Sequence, residues 1–229
     1  MGGADIAPAP PSAMTADLFS NDPHIPATLE LGRDAVLLRG FALAVVPQLF
    51  QGIEQAALAA PWRHMETPGG RRMGVATTNA GALGWVSDRR GYRYEACDPA
   101  TGRPWLPLPE AFAALAGRAA AAAGQGGFAP DACLINRYAP GTRLSLHQDR
   151  DEQDLAAPIV SVSLGLPATF LWGGHARGNA VHRVPLAHGD VVVWGGEDRL
   201  RFHGVAPVAQ GTHALTGPWR VNLTLRKAG

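Results

Sequence analysis

The sequence predicts a mainly β fold with flanking helices, in which the strands form a double-stranded β-helix, or jelly roll. The first observation behind this prediction is a series of short apolar runs from residue 132 onward, separated by Gly, Pro and His-Gly-Asp turns. The second is that helical patterns occur earlier in the chain. About eight short strands in one continuous series are what two packed antiparallel sheets need.

The elements are expected in a simple order. A short strand at 35–38 precedes a helix from about Val46 to Ala59, which has Pro47 in its first turn, where proline fits. A second helix, 109–123, is rich in Ala and Leu and stops before Gly124, a residue type that commonly ends helices. Strands are then predicted near residues 132–138, 143–147, 159–164, 168–172, 181–186, 190–194, 201–206 and 219–225.

We predict a single folded domain, residues 29–229, after a disordered tail, residues 1–28. A chain of 229 residues with 46% apolar and 17% charged residues can bury one substantial core. The tail is rich in Ala and Pro and lacks the basic start and apolar core of a signal peptide, so we expect no membrane association. Cys97 and Cys133 are too few for a disulfide framework, which favours a cytoplasmic location, and we expect a monomer.

Two short segments supply side chains suited to a metal ion. His147 and Asp149 stand two residues apart in a predicted strand, so both side chains point to the same face. His203 lies far downstream, in an alternating run that a folded sheet can bring back. Two imidazoles and one carboxylate are the ligand set of non-haem iron(II) oxygenases, which need open positions on the metal for O2 and a co-substrate. A surface hydrogen bond is the alternative explanation of a His-x-Asp pair.

The last predicted strand carries two arginines on one face, because polar residues at 220, 222, 224 and 226 alternate with apolar ones. If that face points outward, the segment is an ordinary amphipathic edge strand. If it points inward, Arg220 and Arg226 need a buried anion, and a dicarboxylic acid would bind both guanidinium groups. Asn136 and Tyr138, two residues apart on another predicted strand, offer an amide and a phenol to the same ligand.

The segment from about residue 63 to 103 differs from both neighbours. It contains more arginines than acidic residues, and Trp85, Tyr92 and Tyr94 lie among them. One interpretation is a solvated loop region. The other is a nucleic-acid lid over the mouth of the jelly-roll core, about residues 131–229, because arginines pair with phosphates and flat rings stack on bases. The net charge of +1 predicts only a local basic patch.

These motifs, in this order and spacing, resemble the AlkB family of Fe(II)/2-oxoglutarate-dependent dioxygenases. Three longer runs, 130–141, 159–167 and 188–196, are also similar to that family, and the similarity extends from about residue 37 to 226. The resemblance implies a jelly roll with an N-terminal nucleotide-recognition lid. It also implies oxidative demethylation of N-alkylated bases such as 1-methyladenine and 3-methylcytosine in single- or double-stranded DNA, with RNA as a further candidate. Formaldehyde, succinate and CO2 would be released.

The resemblance also assigns roles to individual residues. Fe(II) would bind to His147, Asp149 and His203, which makes these the catalytic centre. The co-substrate 2-oxoglutarate, used together with O2, would contact Asn136, Tyr138, Arg220, Asn222 and Arg226. The substrate would contact Trp85, Tyr92, Tyr94, Asp151 and Arg177.

Two other functions remain open at this stage. One is an oxygenase of the same fold that acts on a small molecule or a protein side chain, for which Trp85 and Asp151 would be dispensable. The other is a metal-binding barrel without enzymatic activity. That barrel would leave Arg220 and Arg226 facing inward without a partner, which is costly for buried cations. The paired arginines therefore favour an oxygenase.

Overall fold

The computed structural model describes residues 27–229 and contains thirteen strands and two α-helices in that range. The helices are α1 (Val46–Ala59) and α2 (Glu110–Ala122). The strands are β1 (Thr28–Glu30), β2 (Ala35–Leu38), β3 (Ala76–Gly81), β4 (Gly84–Asp88), β5 (Gly91–Glu95), β6 (Ala132–Tyr138), β7 (Leu144–His147), β8 (Ile159–Gly165), β9 (Ala168–Trp172), β10 (His182–Leu186), β11 (Val191–Trp194), β12 (His203–Val205) and β13 (Arg220–Arg226). The mainly β fold is confirmed, and the strands predicted after residue 131 lie within a residue or two of the observed ones.

The strands from β6 to β13 are divided equally between two antiparallel sheets. The main sheet has the order β1-β2-β11-β8-β13-β6-β3, and the smaller sheet has the order β10-β9-β12-β7. Four strands of the series lie in each sheet, which is the arrangement of the predicted jelly roll. Because β13 lies between β8 and β6, it is a central strand, and the alternative of an exposed edge strand is wrong.

Both helices pack on the outer face of the main sheet. The buried apolar stripe of α1, which includes Leu49 and Ile53, and that of α2, which includes Phe112 and Leu115, join one core cluster. The alternate residues of the central strands that face the helices, such as Leu223, complete this cluster. Their neighbours in sequence therefore point to the opposite face, into the space between the sheets.

A second core lies between the two sheets at one end. It contains Phe170 and Trp172 of β9 together with Trp194 of β11, whose rings contact one another. The other end of the same space is lined by polar residues and stays open. The apolar end thus fixes the distance between the sheets, while the polar end forms a cavity.

The segment predicted as a lid is divided in the structure. Its strand β3 pairs with β6 and is buried in the main sheet, which the prediction did not include. The hairpin of β4 and β5 forms a separate sheet of two strands. The predicted tail lies outside the described residues up to residue 26, and Thr28 begins β1. In the described range, the helices are all too short or too polar to span a bilayer.

Candidate active site

Three side chains meet between the smaller sheet and the loop that follows β7. His147 of β7 and His203 of β12 are cross-strand partners, and Asp149 follows β7 by two residues. The Nε2 atom of His147 lies 3.4 Å from Oδ1 of Asp149, and the Nε2 atom of His203 lies 3.6 Å from Oδ2. One ligand atom from each residue lies within 4.8 Å of the others, so these three atoms can bind one metal ion together.

The orientation of both imidazole rings is fixed by the backbone. The Nδ1 atom of His147 lies 2.9 Å from the carbonyl oxygen of Ser145, and that of His203 lies 3.1 Å from the carbonyl oxygen of Arg201. Because a carbonyl oxygen only accepts, Nδ1 carries the proton in each ring and donates it. The lone pair is therefore on Nε2, which faces the carboxylate and is free to bind a metal.

The charges around the carboxylate favour its ionised form. Burial opposes the charge of Asp149, but Arg226, His203 and His147 outweigh this effect and hold its pKa well below the usual range. Burial lowers the pKa of His203, which favours its neutral form. Burial also opposes the charged form of His147, but its contact with Asp149 outweighs burial and raises its pKa. An ionised carboxylate and a neutral imidazole are the forms that coordinate metal ions.

The polar face of β13 points into the space between the sheets, as the hypothesis of a bound dicarboxylic acid requires. Arg226 donates from Nη2 to Oδ2 of Asp149 at 2.6 Å and from Nε to the same atom at 3.1 Å. Its Nε also lies 3.2 Å from Oε1 of Glu152. Arg226 is thus a buried cation shared by two carboxylates, which raise its pKa against the effect of burial.

Arg220, at the other end of the same face, has no such partners. It is 1% exposed, and Nη2 donates to the hydroxyl of Ser163 at 2.9 Å. Its Nε and Nη1 atoms are buried without a hydrogen-bond partner among the described residues, and its guanidinium lies over the ring of Tyr138. Burial lowers its pKa, and no carboxylate restores it. A buried guanidinium whose N–H groups are not all hydrogen-bonded is an arrangement that a carboxylate can complete.

The predicted amide and phenol ligands lie beside these arginines. Asn136 and Tyr138 of β6 line the same cavity, and Asn222 lies between the two arginines on β13. The amide nitrogen of Asn222 donates to Ser161, and its oxygen accepts from the hydroxyl of Thr224. The side chain of Asn222 is therefore held in place by the protein.

The predicted metal ligands and the predicted co-substrate residues all line one cavity of about 1040 Å³, and four of the five predicted substrate residues line it as well. At its mouth, the indole nitrogen of Trp85 donates to Oδ2 of Asp151 at 3.0 Å, and the ring stacks on Tyr92 with centroids 5.6 Å apart. Arg177 lies over the ring of Phe202 and donates to the backbone of the strand that carries His147. The cavity is large enough for a small co-substrate and one base.

Comparison with known proteins agrees with this chemistry. Residues 34–226 match the family model of the 2OG-Fe(II) oxygenase superfamily. The Salmonella typhimurium protein named "Alpha-ketoglutarate-dependent dioxygenase AlkB" is 54% identical over 212 residues, which are 93% of this chain and 97% of that protein. The chain belongs to the AlkB family of 2OG-Fe(II) oxygenases.

Two further relatives extend the comparison. The solved structure of OsALKBH1 has a TM-score of 0.75 at 26% identity, and the match covers 87% of this chain and 99% of that one. The Arabidopsis thaliana protein named "DNA N(6)-methyladenine demethylase ALKBH1D" is 41% identical over 108 residues, which are 42% of this chain and 24% of that protein. Membership of the AlkB family confirms the prediction of a dioxygenase that uses Fe(II) and 2-oxoglutarate.

The residues of the cavity fit the two groups that the AlkB family uses. The donor set of two imidazoles and a carboxylate suits Fe(II) and leaves coordination positions free. The unpaired N–H groups of Arg220 suit a carboxylate of 2-oxoglutarate. Both features belong to the protein itself and do not depend on the comparison with relatives.

Sequence reasoning missed two members of this AlkB-family site. Glu152 received no role from the sequence, but it is 7% exposed and accepts from Tyr94 at 2.8 Å and from Arg199 at 3.1 Å. Arg199 also donates to the backbone oxygen of Asp149 at 2.6 Å. Tyr94 was predicted to contact the substrate, but it is absent from the lining of the cavity, and its hydroxyl donates to Glu152 instead. Glu152 lies in a loop, where no periodicity indicates the direction of a side chain.

Proposed function

We propose that this protein removes methyl groups oxidatively from N-alkylated bases of nucleic acids, with Fe(II), 2-oxoglutarate and O2. The observation that carries the proposal is a His-Asp-His set in the same cavity as a buried, unpaired arginine, below a mouth formed by an indole and a carboxylate. The name of the Arabidopsis thaliana relative supports a nucleic-acid substrate for this family. DNA is the expected substrate, with RNA as a second candidate.

We assign the metal to His147, Asp149 and His203, and the co-substrate to the polar residues behind them. Arg220 would bind the distal carboxylate of 2-oxoglutarate together with Tyr138, because two of its nitrogens have no acceptor among residues 27–229. The rest of the co-substrate pocket would be lined by Asn136, Asn222 and Arg226. When bound, the iron and its co-substrate supply the oxidising power that converts an N-methyl group into an adduct that loses formaldehyde.

We assign the substrate base to the mouth of the cavity. A base extruded from its strand would stack against Trp85 on one side and His147 on the other, both of which line the cavity. Asp151 is held by the indole N–H of Trp85, so its carboxylate is placed to attract the cationic ring of a methylated adenine or cytosine. Damaged bases that cannot pair are easier to extrude, which adds selectivity.

We further propose that the hairpin of β4 and β5 is the lid of the site. It carries Trp85 and Tyr92 to the cavity, and its arginines provide a local positive charge. Several arginines outside the hairpin also line the cavity and could contact phosphates. These are Arg71, Arg72, Arg143, Arg150 and Arg177. The monomeric state and the cytoplasmic location stay predictions.

The test is a single-turnover assay on defined oligonucleotides. The protein is loaded with Fe(II) and 2-oxoglutarate without air, mixed with an oligonucleotide that carries one 1-methyladenine, exposed to air and analysed by mass spectrometry. Loss of one methyl group with the wild type, and none with Asp149→Ala, is the expected result. If succinate forms in the presence of every DNA and RNA lesion tested but none of them loses a methyl group, a nucleic-acid substrate is refuted. That result would favour the small-molecule or protein alternative.

A second variant separates substrate recognition from co-substrate chemistry. Asp151→Asn removes the charge that faces the base but leaves the metal ligands unchanged. We expect this variant to form succinate at the wild-type basal rate and to lose most demethylation of a cationic lesion. Equal demethylation by Asp151→Asn and wild type would remove this residue from the proposed substrate site.

A further inference from the structure

Arg137 is stacked between two indole rings on the face of β6 that points away from the cavity. Its guanidinium carbon lies 4.7 Å from the ring centroid of Trp62 and 4.7 Å from that of Trp219. Trp62 follows α1, and Trp219 immediately precedes β13, so three separate elements contribute to this cluster. We call these three residues the outer stack.

The arginine of the outer stack has no acidic partner. Within residues 27–229, no carboxylate lies at ion-pair distance from Arg137, whereas the half-buried Arg39, Arg63 and Arg93 each pair with an aspartate. Its Nε atom is buried without a hydrogen-bond partner, and burial alone lowers its pKa. Contact with two indoles compensates only part of the cost of removing a cation from water. The two terminal nitrogens of the guanidinium, which are not among the buried unpartnered atoms, therefore remain available to an anion.

The outer stack lies just behind the lip of the active-site cavity. Arg137 stands between Asn136 and Tyr138, which line the cavity from the opposite face of the same strand. Its partner on β3 is Ala76, and Gly74, two residues earlier, lines the cavity and is exposed. A nucleic-acid strand that leaves the cavity on the side of β3 would next pass the outer stack.

We propose that the outer stack binds a phosphate of the nucleic-acid strand that flanks the base in the active site. This inference rests on the proposed function. A guanidinium offers a planar edge of N–H donors that matches a phosphate, and the indoles hold that edge in a fixed orientation. Trp62 and Trp219 are both partly exposed, and such rings stack on neighbouring bases without regard to sequence. A single-stranded extension of the substrate is therefore the ligand that suits all three residues.

The test compares a short and a long substrate with matched variants. Arg137→Gln removes the charge of the outer stack, and Arg118→Gln removes an exposed arginine of α2 that has no ion pair in the described part of the chain. Binding of a trinucleotide with a central 1-methyladenine and of a longer strand with the same lesion is measured at several salt concentrations. With Arg137→Gln we expect about tenfold weaker binding of the long strand and a salt dependence reduced by about one phosphate contact.

The trinucleotide separates this proposal from a structural role. Its affinity and its demethylation should be the same in Arg137→Gln, Arg118→Gln and wild type, because it is too short to reach the stack. Arg137→Lys, which keeps the charge but not the planar edge, should bind the long strand with intermediate affinity. Wild-type affinity of Arg137→Gln for the long strand would overturn the proposal, as would an equal loss for both substrates.

The failure of this proposal can be distinguished from the failure of the proposed function. If the wild type demethylates both substrates and Arg137→Gln binds the long strand normally, only the outer stack is refuted. If the wild type neither binds nor demethylates either oligonucleotide, both proposals fail. A cluster that served only to pack the sheet end would lower the melting temperature of Arg137→Gln and leave the ratio of the two affinities unchanged, which also counts against the proposal.

Discussion

The two ends of β13 carry arginines on the same face, but their surroundings differ. Arg226 donates to Asp149 and lies 3.2 Å from Glu152, so its charge is balanced by the protein. Arg220 is similarly buried, donates to the neutral hydroxyl of Ser163 and keeps two nitrogens, Nε and Nη1, without partners in the described chain. One strand thus places a satisfied cation beside the metal ligands and an unsatisfied cation at the far end of the pocket.

This difference in partners suggests that Arg226 stabilises the fold and that Arg220 binds a ligand. A buried ion pair that is broken by removal of one partner strongly destabilises a protein, because the remaining charge stays buried. A buried cation without a partner already carries that cost in the folded state, so its removal should cost little. The satisfied arginine is therefore expected to control stability and the unsatisfied one to control affinity for the co-substrate.

The largest expected effect follows from removal of the satisfied cation. Arg226→Met leaves the buried carboxylate of Asp149 without an arginine partner in the described chain, because Arg199 donates only to the backbone oxygen of Asp149, and it leaves Glu152 with Arg199 alone. We expect the free energy of unfolding of the metal-free protein to fall by about 3–5 kcal/mol, measured by urea denaturation. Arg118→Met serves as the exposed control. A loss below that of the control would show that Arg226 is not what balances the carboxylates.

The second prediction concerns the unsatisfied cation. Arg220→Met should weaken binding of 2-oxoglutarate by about two orders of magnitude, since a buried, hydrogen-bonded charge pair contributes about 2–5 kcal/mol. Its free energy of unfolding should stay within about 1 kcal/mol of the wild type or rise, because a costly buried charge is removed. Calorimetric titration of the metal-loaded protein and urea denaturation check the two parts. If Arg220→Met were strongly destabilised but bound 2-oxoglutarate normally, Arg220 would be the arginine that stabilises the fold, contrary to this prediction.

The third prediction tests whether Glu152 belongs to the same network as Arg226. Glu152→Gln removes a charge that accepts from Tyr94 and Arg199, and hydrogen bonds to charged groups contribute about 1.5–3 kcal/mol. We expect a loss of that size. In the double variant with Arg226→Met the two losses should not add, because the residues share one network. Strict additivity would mean that Glu152 acts independently of Arg226.

The parts of the site that lie on strands could be predicted from the sequence. The period of two placed Arg220 and Arg226 on one face, and the inward alternative became the observed one because β13 is a central strand. The positions of Asn136 and Tyr138 followed in the same way. The period of two fixes which side chains share a face, so this grouping needed no tertiary information, whereas the choice of the face that points inward did.

The parts of the site that lie outside the strands could not be predicted in this way. Glu152 and Arg199 meet across separate loops, and their contact depends on a fold that no local pattern encodes. The sequence between 63 and 103 indicated a basic, aromatic segment, but not that β3 would pair with β6 and form an edge strand of the main sheet. Strand β3 contains Thr, Asn and Gly, so it lacks the apolar alternation by which strands are recognised.

The smallest expected effect is a pH dependence that differs between the two ends of β13. At the Arg220 end, Nδ1 of His188 accepts from the backbone N–H of Gly165, the residue paired with Arg220. Burial, followed by the nearby His213, lowers the pKa of His188, while Asp190 opposes the shift. Because the unfolded chain then takes up this proton first, stability is full above about pH 6.5 and falls as the pH decreases below that value.

For Asp149, at the Arg226 end, the corresponding loss lies at much lower pH, and His203 beside it titrates equally in the variant proposed below and in the wild type. The pKa of Asp149 is held well below its usual range, so the stability from its ionised form is present above the unfolded-state pKa and lost only in stronger acid. His188→Asn removes the titrating group but keeps an acceptor for Gly165. Melting temperatures at about pH 8 and about pH 5.5 should therefore fall less for His188→Asn than for the wild type, since other groups titrate in both. Equal falls would show that protonation near Arg220 does not weaken this end of the strand, and that the two ends differ in charge balance alone.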